Sequence, residues 1–377
     1  MRHTLQIAAL AAAISLCGCG GGSSDTTKII NNNGEHPMVI DIDNPTIKEI
    51  PELHQLIDTA YLITFKGKDL LLSDDISPII TGDRICLYDY RNNKSIKIFD
   101  IDGNFIREVP KGNGPGEIDQ CNDRFYDPDN KFFLISNSEY WSKFDCNGNF
   151  IDKIKIPFKY MRMCKFNDEY IFLTNPYNDQ QNTEINGSVI ITDTNFNIKR
   201  TFVKKAEIMP GIMIHPNTAM AEVDGHLWIL KDTIYRYENS NLYPEYCFKF
   251  DNPLDPAAQI DIHNLGDTKG YRLSKYLENS RTQIVEISEF SGRPKHLYRD
   301  KKSGNSFAYL LGQDGKYPFY INANFLYNDC FVTSISSERS NDIDQIKAFL
   351  SPDDQKIIND LTPDDNPVLL LFKMKEF

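Results

Sequence analysis

IKIFDIDGNFIR at residues 96–107 can be aligned with WSKFDCNGNFID at residues 141–152. Phe, Asp, Gly, Asn, Phe and Ile coincide at an offset of 45 residues, which chance explains poorly. Each copy contains a dipeptide, Asp-Gly at 102–103 and Asn-Gly at 147–148, that accepts the positive φ angles of a type I′ turn. Each copy is therefore predicted to be a tight β-hairpin whose turn glycine has positive φ.

The spacing of these hairpins extends along the chain. Turn residues precede short apolar strands at six places, residues 83–88, 130–135, 168–173, 224–230, 283–288 and 328–333. A period of about 40 to 50 residues with several short strands is typical of a four-stranded propeller blade. One such sheet cannot bury both faces alone, whereas a closed ring packs each sheet between two others. The sequence therefore predicts an all-β, six-bladed β-propeller with four-stranded antiparallel blades.

Both ends of the ordered chain contain strand-like segments. Residues 38–42 and 367–374 are apolar runs of strand length. We expect these N- and C-terminal strands to share one closing blade, because an unclosed ring would leave two open sheet edges. The propeller is predicted to span residues 38–377. Within it, Ser351 followed by Pro352 predicts the start of a short helix.

The chain begins with a leader and a tether. Residues 5–16 are mainly apolar, but about a dozen residues fall short of the roughly 20 that span a bilayer as a helix. Leu-Cys-Gly-Cys at 16–19 resembles the bacterial lipobox, in which a cysteine after a small residue is lipidated, and Cys19 fits this position. Residues 1–18 are thus predicted to be a lipoprotein signal peptide and 19–37 a flexible Gly/Ser/Asn tether. The alternative is an ordinary secretory leader with two incidental cysteines.

The charge of the chain restricts its partners. The net charge of −12 and the absence of a long Lys/Arg cluster exclude a nucleic-acid footprint. Contact with a membrane is expected through the lipid anchor alone, and we expect a monomer. The mature chain has no C-x-x-C pair, so mostly free thiols are expected among its six remaining cysteines, Cys86, Cys121, Cys146, Cys164, Cys247 and Cys330.

Two further stretches carry a family resemblance. KGNGPGE at 111–117 directly follows the first hairpin, and DDNPVLLLF at 364–372 ends the chain. In this setting the chain resembles the six-bladed β-propeller lipoproteins of Gram-negative gut bacteria, which are similar in architecture to NHL-repeat proteins. The resemblance covers about residues 40–377 and implies a fold and a cell-envelope address, with no agreed reaction. Gly20, where an aspartate would favour inner-membrane retention, favours the outer membrane, facing either the periplasm or the surface.

The glycine-rich stretch after the first hairpin does not fit a phosphate-binding loop. It lacks Gly-Lys-Ser/Thr and does not enter a helix, and its proline has no N–H to offer a phosphate. We interpret it as a strained turn between two blades. The predicted structural turn residues are Gly103, Gly148, Gly112, Gly114, Pro115, Gly116 and Glu117.

No catalytic motif or metal-ligand spacing is present in the linear sequence. A propeller can nevertheless collect ligands from several blades, and aspartates at the starts of blade strands could converge near the axis and bind calcium through oxygen. The alternative is that they are turn residues, since Asp is a common turn former. The candidates are Asp83, Asp168, Asp224 and Asp329.

We therefore expect a non-enzymatic binding or scaffold propeller at the cell envelope, without a cofactor, for a glycan, peptide or protein partner. Tyr140, Trp141 and Tyr317 are candidate stacking surfaces for it. The alternative is a metal-dependent hydrolase or lyase of the calcium type, with its site at the central channel.

Overall fold

The computed structural model describes most of the predicted propeller. Residues 1–36 lie outside it, so the signal peptide, Cys19 and nearly all of the tether stay predictions, as does everything concerning Asp224 and Tyr317. The described ranges are residues 37–67, 70–73, 76–89, 94–137, 139–174, 182–204, 219–223, 225–230, 233–254, 269–289, 292–310, 323–336 and 346–377.

The first described elements precede the regular blades. They are β1 (Met38–Asp41), α1 (Leu53–Leu56) and β2 (Ile57–Ile63). Blade 1 consists of β3 (Ile76–Thr81), β4 (Arg84–Asp89), β5 (Ile96–Asp100) and β6 (Phe105–Val109). Blade 2 consists of β7 (Asp123–Asp127), β8 (Phe132–Ser136), β9 (Tyr140–Asp145) and β10 (Phe150–Lys155). Blade 3 consists of β11 (Arg162–Phe166), β12 (Glu169–Leu173), β13 (Gly187–Thr192) and β14 (Ile198–Lys204).

The second half of the chain repeats this arrangement. Blade 4 consists of β15 (Met220–Val223), β16 (His226–Leu230), β17 (Ile234–Glu238) and β18 (Asn241–Lys249). Blade 5 consists of β19 (Arg272–Glu278), β20 (Thr282–Ser288), β21 (Lys295–Asp300) and β22 (Ser306–Leu310). Blade 6 contains β23 (Phe325–Tyr327), β24 (Cys330–Ile335) and β25 (Val368–Met374), completed by β2. The predicted six-bladed β-propeller of four-stranded antiparallel blades is confirmed.

The ring is closed by N- and C-terminal strands, as predicted, but the N-terminal partner differs. β2 pairs antiparallel with β25, whereas β1 pairs parallel with β18 and forms a fifth strand at the outer edge of blade 4. The prediction that residues 38–42 share the closing blade is therefore wrong. Both N-terminal segments have strand-like apolar residues, so the sequence pattern alone does not tell which of them reaches β25.

The segment between β1 and β2 runs along the outside of blade 5. The Ile47 N–H donates to the Ser306 carbonyl at 2.8 Å, and the Ser306 N–H donates to Thr46 Oγ1 at 2.7 Å. Ile47 and Ile50 pack against the core between blades 5 and 6. The N-terminal segment thus contacts three consecutive blades, blades 4, 5 and 6.

Apolar side chains are buried mainly between neighbouring blades. Leu134 and Trp141 of blade 2, for example, pack against Phe172 of blade 3. Trp141 is fully buried, and its Nε1 donates to the Tyr160 hydroxyl at 2.6 Å. The prediction that Trp141 offers an exposed stacking surface is therefore wrong, because Trp141 belongs to the apolar core between blades 2 and 3. The six described cysteines are free thiols.

The repeated hairpins differ from the predicted turn type. Gly103 has a φ of 81°, yet Asp102 is not among the residues with positive φ, which a type I′ turn would require. The Gly103 N–H donates to the Asp100 carbonyl at 3.1 Å and the Asp100 N–H to the Asn104 carbonyl at 3.0 Å. The turn is thus type I followed by a glycine bulge. The Asp100 carboxylate holds it by accepting from the N–H groups of Asp102 and Asn104.

The same aspartate-centred turn recurs in the next two blades. Asp145 accepts from the N–H and side-chain amide of Asn149, each at 2.8 Å, and Gly148 has a φ of 77°. In blade 3, Asp193 makes the same bonds to Asn197, and Phe196 replaces the glycine with a φ of 64°. The type I′ prediction is wrong because the aspartate that precedes each turn accepts from two of its backbone N–H groups and so stabilises the longer turn with a bulge.

The predicted short helix is present. α2 (Pro352–Asp360) begins after Ser351, whose side chain accepts from the Asp354 N–H. It contributes Ile358 to the core between blades 5 and 6. Among the described residues, no helix has the length and apolar character needed to cross a membrane.

Candidate functional site

The axis of the propeller is lined by the first strand of each blade. β3 contacts β7, β7 contacts β11, β11 contacts β15, β15 contacts β19, and β23 contacts β3. Because these strands are innermost, the turns that join the first strand of each blade to the second surround one end of the axis. Any side chains that converge there come from several blades.

Polar contacts between blades hold these turns in place. Between blades 2 and 3, Lys165 Nζ lies 3.2 Å from the Asp127 carboxylate. Between blades 3 and 4, Glu169 accepts from the Tyr237 hydroxyl at 2.5 Å. Between blades 6 and 1, the Tyr327 hydroxyl donates to the Gly82 carbonyl at 3.0 Å. Carboxylates at this end of the ring thus serve largely to connect neighbouring blades through hydrogen bonds and ion pairs.

Three of the four aspartates suggested for calcium lie in the described turns. Asp83 lies 3.1 Å from Arg84 Nη1 and accepts from the Tyr126 hydroxyl at 3.4 Å. Asp168 is exposed in the turn between β11 and β12. The Asp329 carboxylate accepts hydrogen bonds from Ser280 of blade 5. In the part of the chain that the structure describes, no three His, Cys, Asp or Glu side chains lie close enough together to hold a metal ion.

A cavity of about 400 Å³ opens where blades 4, 5 and 6 meet at this end. Its walls are formed by the ends of β15, β19 and β23 and by the turns that follow the last two. The lining residues are Glu222, Val223, Glu278, Asn279, Ser280, Leu326, Tyr327, Asn328 and Asp329.

The blade 6 wall is fixed to blade 5 through Asp329. The Ser280 N–H and hydroxyl each donate to the Asp329 carboxylate at 2.7 Å, and Lys373 Nζ lies 3.1 Å from it. Burial raises the pKa of Asp329, but the bonds from Ser280 and the Lys373 ammonium lower it by more, so the pKa lies below the usual aspartate value. Asp329 therefore remains ionised and paired at neutral pH.

The blade 5 wall contains a buried carboxylate, Glu278. Lys301 Nζ lies 2.5 Å from Glu278 Oε1, and the Tyr276 hydroxyl donates to the other carboxylate oxygen. Burial raises the pKa of Glu278, and the Lys301 ammonium offsets only part of this rise. With Lys301 beside it, this carboxylate is compensated within blade 5.

The blade 4 wall contains a carboxylate of a different kind. Glu222 is exposed, and in the described part of the chain its side chain has neither a hydrogen bond nor an ion pair. Its neighbour Val223 is buried against blade 5. The cavity therefore combines two paired carboxylates with a third, exposed one that has no ion pair among the described residues.

The glycine-rich turn lies elsewhere, between β6 and β7, and closes on its own glutamate. Glu117 Oε2 accepts from the Gly114 N–H at 2.8 Å, and a Cβ at Gly112 would lie 2.0 Å from that oxygen. Gly116 has a φ of 81°. Because a carboxylate already occupies the concave side of the turn, the arrangement leaves no place for a phosphate.

Sequence reasoning missed Glu222, Glu278 and Tyr327 as lining residues. Each lies at or next to the end of a first strand, just before the turn that the sequence did indicate. A charged or aromatic residue at that position in successive blades was the available signal. This signal is weak because Asp inside a turn is the commoner marker of such a position.

These features define a six-bladed propeller with a polar cavity at one end of its axis. The family model for a domain of unknown function, DUF4934, matches residues 39–373, and the chain belongs to this family. No curated protein sequence matches the chain.

Comparison with solved structures supports the fold. A Bacteroides fragilis protein named as an exported protein superposes with a TM-score of 0.69 at 16% identity, over 90% of this chain and 100% of that one. A Bacteroides thetaiotaomicron protein of unknown function matches with a TM-score of 0.34 at 9% identity, over 71% of this chain and 69% of that one. The first superposition shows a shared fold. The TM-score of the second is too low to support any conclusion about the fold.

Proposed function

We propose that this protein is a lipid-anchored binding propeller of the cell envelope, acting as a monomer without chemistry of its own. It holds a glycan, peptide or protein partner at the cavity between blades 4, 5 and 6. The cavity is the observation that carries this proposal, since about 400 Å³ lies within the range of ligand pockets and its walls mix apolar and polar groups. Two of its carboxylates, Glu278 and Asp329, are each paired with a lysine, which holds the walls of the cavity in position.

Two observations support a location in the cell envelope. The lipobox-like sequence ends at Cys19, and the Bacteroides fragilis protein of the same fold is named as exported. The chain enters the fold at β1, the outermost strand of blade 4. A tether attached there leaves the cavity at the axis open to a partner. An outer-membrane lipoprotein with an NHL-like propeller is the arrangement we propose.

Replacing the lipobox cysteine tests the anchor. Cys19→Ser should abolish palmitate labelling and move the protein from the membrane to the soluble envelope fraction, because the serine hydroxyl cannot form the thioether. Cys17→Ser is the matched control and should be labelled and fractionated as the parent chain, since bulky Leu16 precedes Cys17. Unchanged labelling in Cys19→Ser would contradict the anchor.

Binding arrays test the cavity. The full chain, purified in detergent, should retain a subset of glycans or peptides on arrays of both. Tyr327→Ala should weaken that retention about tenfold, which corresponds to about 1.4 kcal/mol, because the ring forms one wall of the cavity. Phe150→Ala is the matched control, because Phe150 is an aromatic residue on the outer strand of blade 2 with 39% of its surface exposed. Equal losses in both variants, with melting temperatures unchanged, would count against the cavity as the binding site.

A further inference from the structure

Among the described residues, the cavity has more carboxylates than lysines that pair with them. Three carboxylates line it, those of Glu222, Glu278 and Asp329. Two ammonium groups reach them, Lys301 at 2.5 Å from Glu278 and Lys373 at 3.1 Å from Asp329. Within the described ranges, Glu222 has no cation of its own.

Glu222 and Asp168 are both exposed at this end of the ring and have no ion pair among the described residues, but only Glu222 lines the cavity. Asp83, Asp127 and Glu169 each have a lysine or arginine at ion-pair distance. An exposed carboxylate in a concave, partly apolar site attracts a cation more strongly than one on an open surface, because field lines are focused there. The net charge of −12 on the chain adds to this attraction at long range.

The walls next to Glu222 are apolar or aromatic. Val223 is buried at the base of the same strand, and Leu326 and Tyr327 are half-buried on the blade 6 side. Such walls suit the methylene stem of a long side chain whose charged end reaches a carboxylate. The Tyr327 ring can in addition contact a cation through its face.

We propose that the cavity binds the lysine or arginine side chain of a peptide segment in the partner, with Glu222 as its counter-ion. This inference rests on the proposed function, since it names the ligand chemistry of the same site. The side-chain stem packs between Val223, Leu326 and Tyr327, and the cationic end pairs with the Glu222 carboxylate.

Capped pentapeptides provide the test. Gly-Gly-Lys-Gly-Gly and the same peptide with norleucine, which has no ammonium group, are titrated into the full chain in detergent at low and high salt. The lysine peptide should bind at least tenfold more tightly than the norleucine peptide, and this preference should shrink at 0.5 M salt. Glu222→Gln should remove the preference. Glu139→Gln should keep it, since Glu139 is an exposed glutamate between β8 and β9, at the other end of the strands.

The outcomes separate this inference from the proposed function. Equal binding of the two peptides, or a lysine preference that persists in Glu222→Gln, would overturn the cation site. Binding of glucosamine that depends on Glu222, without binding of the lysine peptide, would overturn the peptide assignment in favour of an amino sugar. If neither Tyr327→Ala nor Glu222→Gln changes the binding of any array ligand, the proposed function itself is contradicted.

Discussion

Gly103→Ala should destabilise the propeller by roughly 2 to 5 kcal/mol. A residue with a side chain at a φ of 81° costs about 1–2 kcal/mol, and forcing an extra carbon into packed space adds about 1–3 kcal/mol. At Gly103 the added Cβ would lie 2.0 Å from the Thr64 carbonyl oxygen, which belongs to the backbone and cannot rotate away. Thr64 directly follows β2, so this contact joins blade 1 to the strand that closes the ring. We therefore expect the substitution to weaken the closure of the ring. Urea denaturation followed by circular dichroism measures it.

A second glycine separates backbone strain from lack of space. Gly82 also has positive φ, 48°, but nothing lies within 4 Å of an added Cβ. Gly82→Ala should therefore cost only about 1–2 kcal/mol. Gly148→Ala should fall between the two, because its Cβ would meet Ile98 and Arg107 side chains at 2.9 and 3.0 Å, which can move. Equal losses at Gly82 and Gly103 would show that the Thr64 contact is not formed.

The number of blades and their strands could be predicted because the repeat is local. Each blade places its turn residues and apolar strands within about 50 residues, so one aligned pair of hairpins at 96–107 and 141–152 indicated the period. The closing strand could not be chosen in this way. β2 and β25 pair across more than 300 residues, and the apolar pattern of residues 38–42 is equally compatible with that place.

The candidate site was also less predictable than the blades, because it depends on contacts between residues that are far apart in the sequence. Its walls come from three blades, and the groups that decide its charge are joined only by the fold. Lys301 reaches Glu278 from the turn after β21, and Lys373 reaches Asp329 from β25. Pairings of this kind determine which carboxylates form ion pairs within the fold. Among the described residues of the cavity, Glu222 is the carboxylate without such a pair. The sequence indicates the aspartates of the turns, yet only the structure shows which carboxylates pair with lysines within the fold.

Ending the chain after Asn366 should abolish the folded state. The truncation removes β25, which lies between β24 and β2 in the closing blade. It also removes Val368, Leu369, Leu370, Leu371 and Phe372, each with at most 2% of its surface exposed. Truncating one such side chain typically costs about 2–5 kcal/mol, so the loss of all five, about 10–25 kcal/mol, is as large as or larger than the roughly 5–15 kcal/mol that stabilises a domain.

Deleting residues 38–41 is the contrasting change, because β1 is an added fifth strand on a blade that is already complete. Met38 and Val39 are 51% and 62% exposed, and Ile40 is the one apolar side chain of β1 that is buried. We expect a folded protein that has lost about 2–4 kcal/mol, from one buried side chain and a few hydrogen bonds. Near-ultraviolet circular dichroism and protease resistance distinguish the two deletions. A truncated chain that melts like the parent, or a deletion of 38–41 that unfolds the domain as completely, would contradict closure of the ring through β2 and β25.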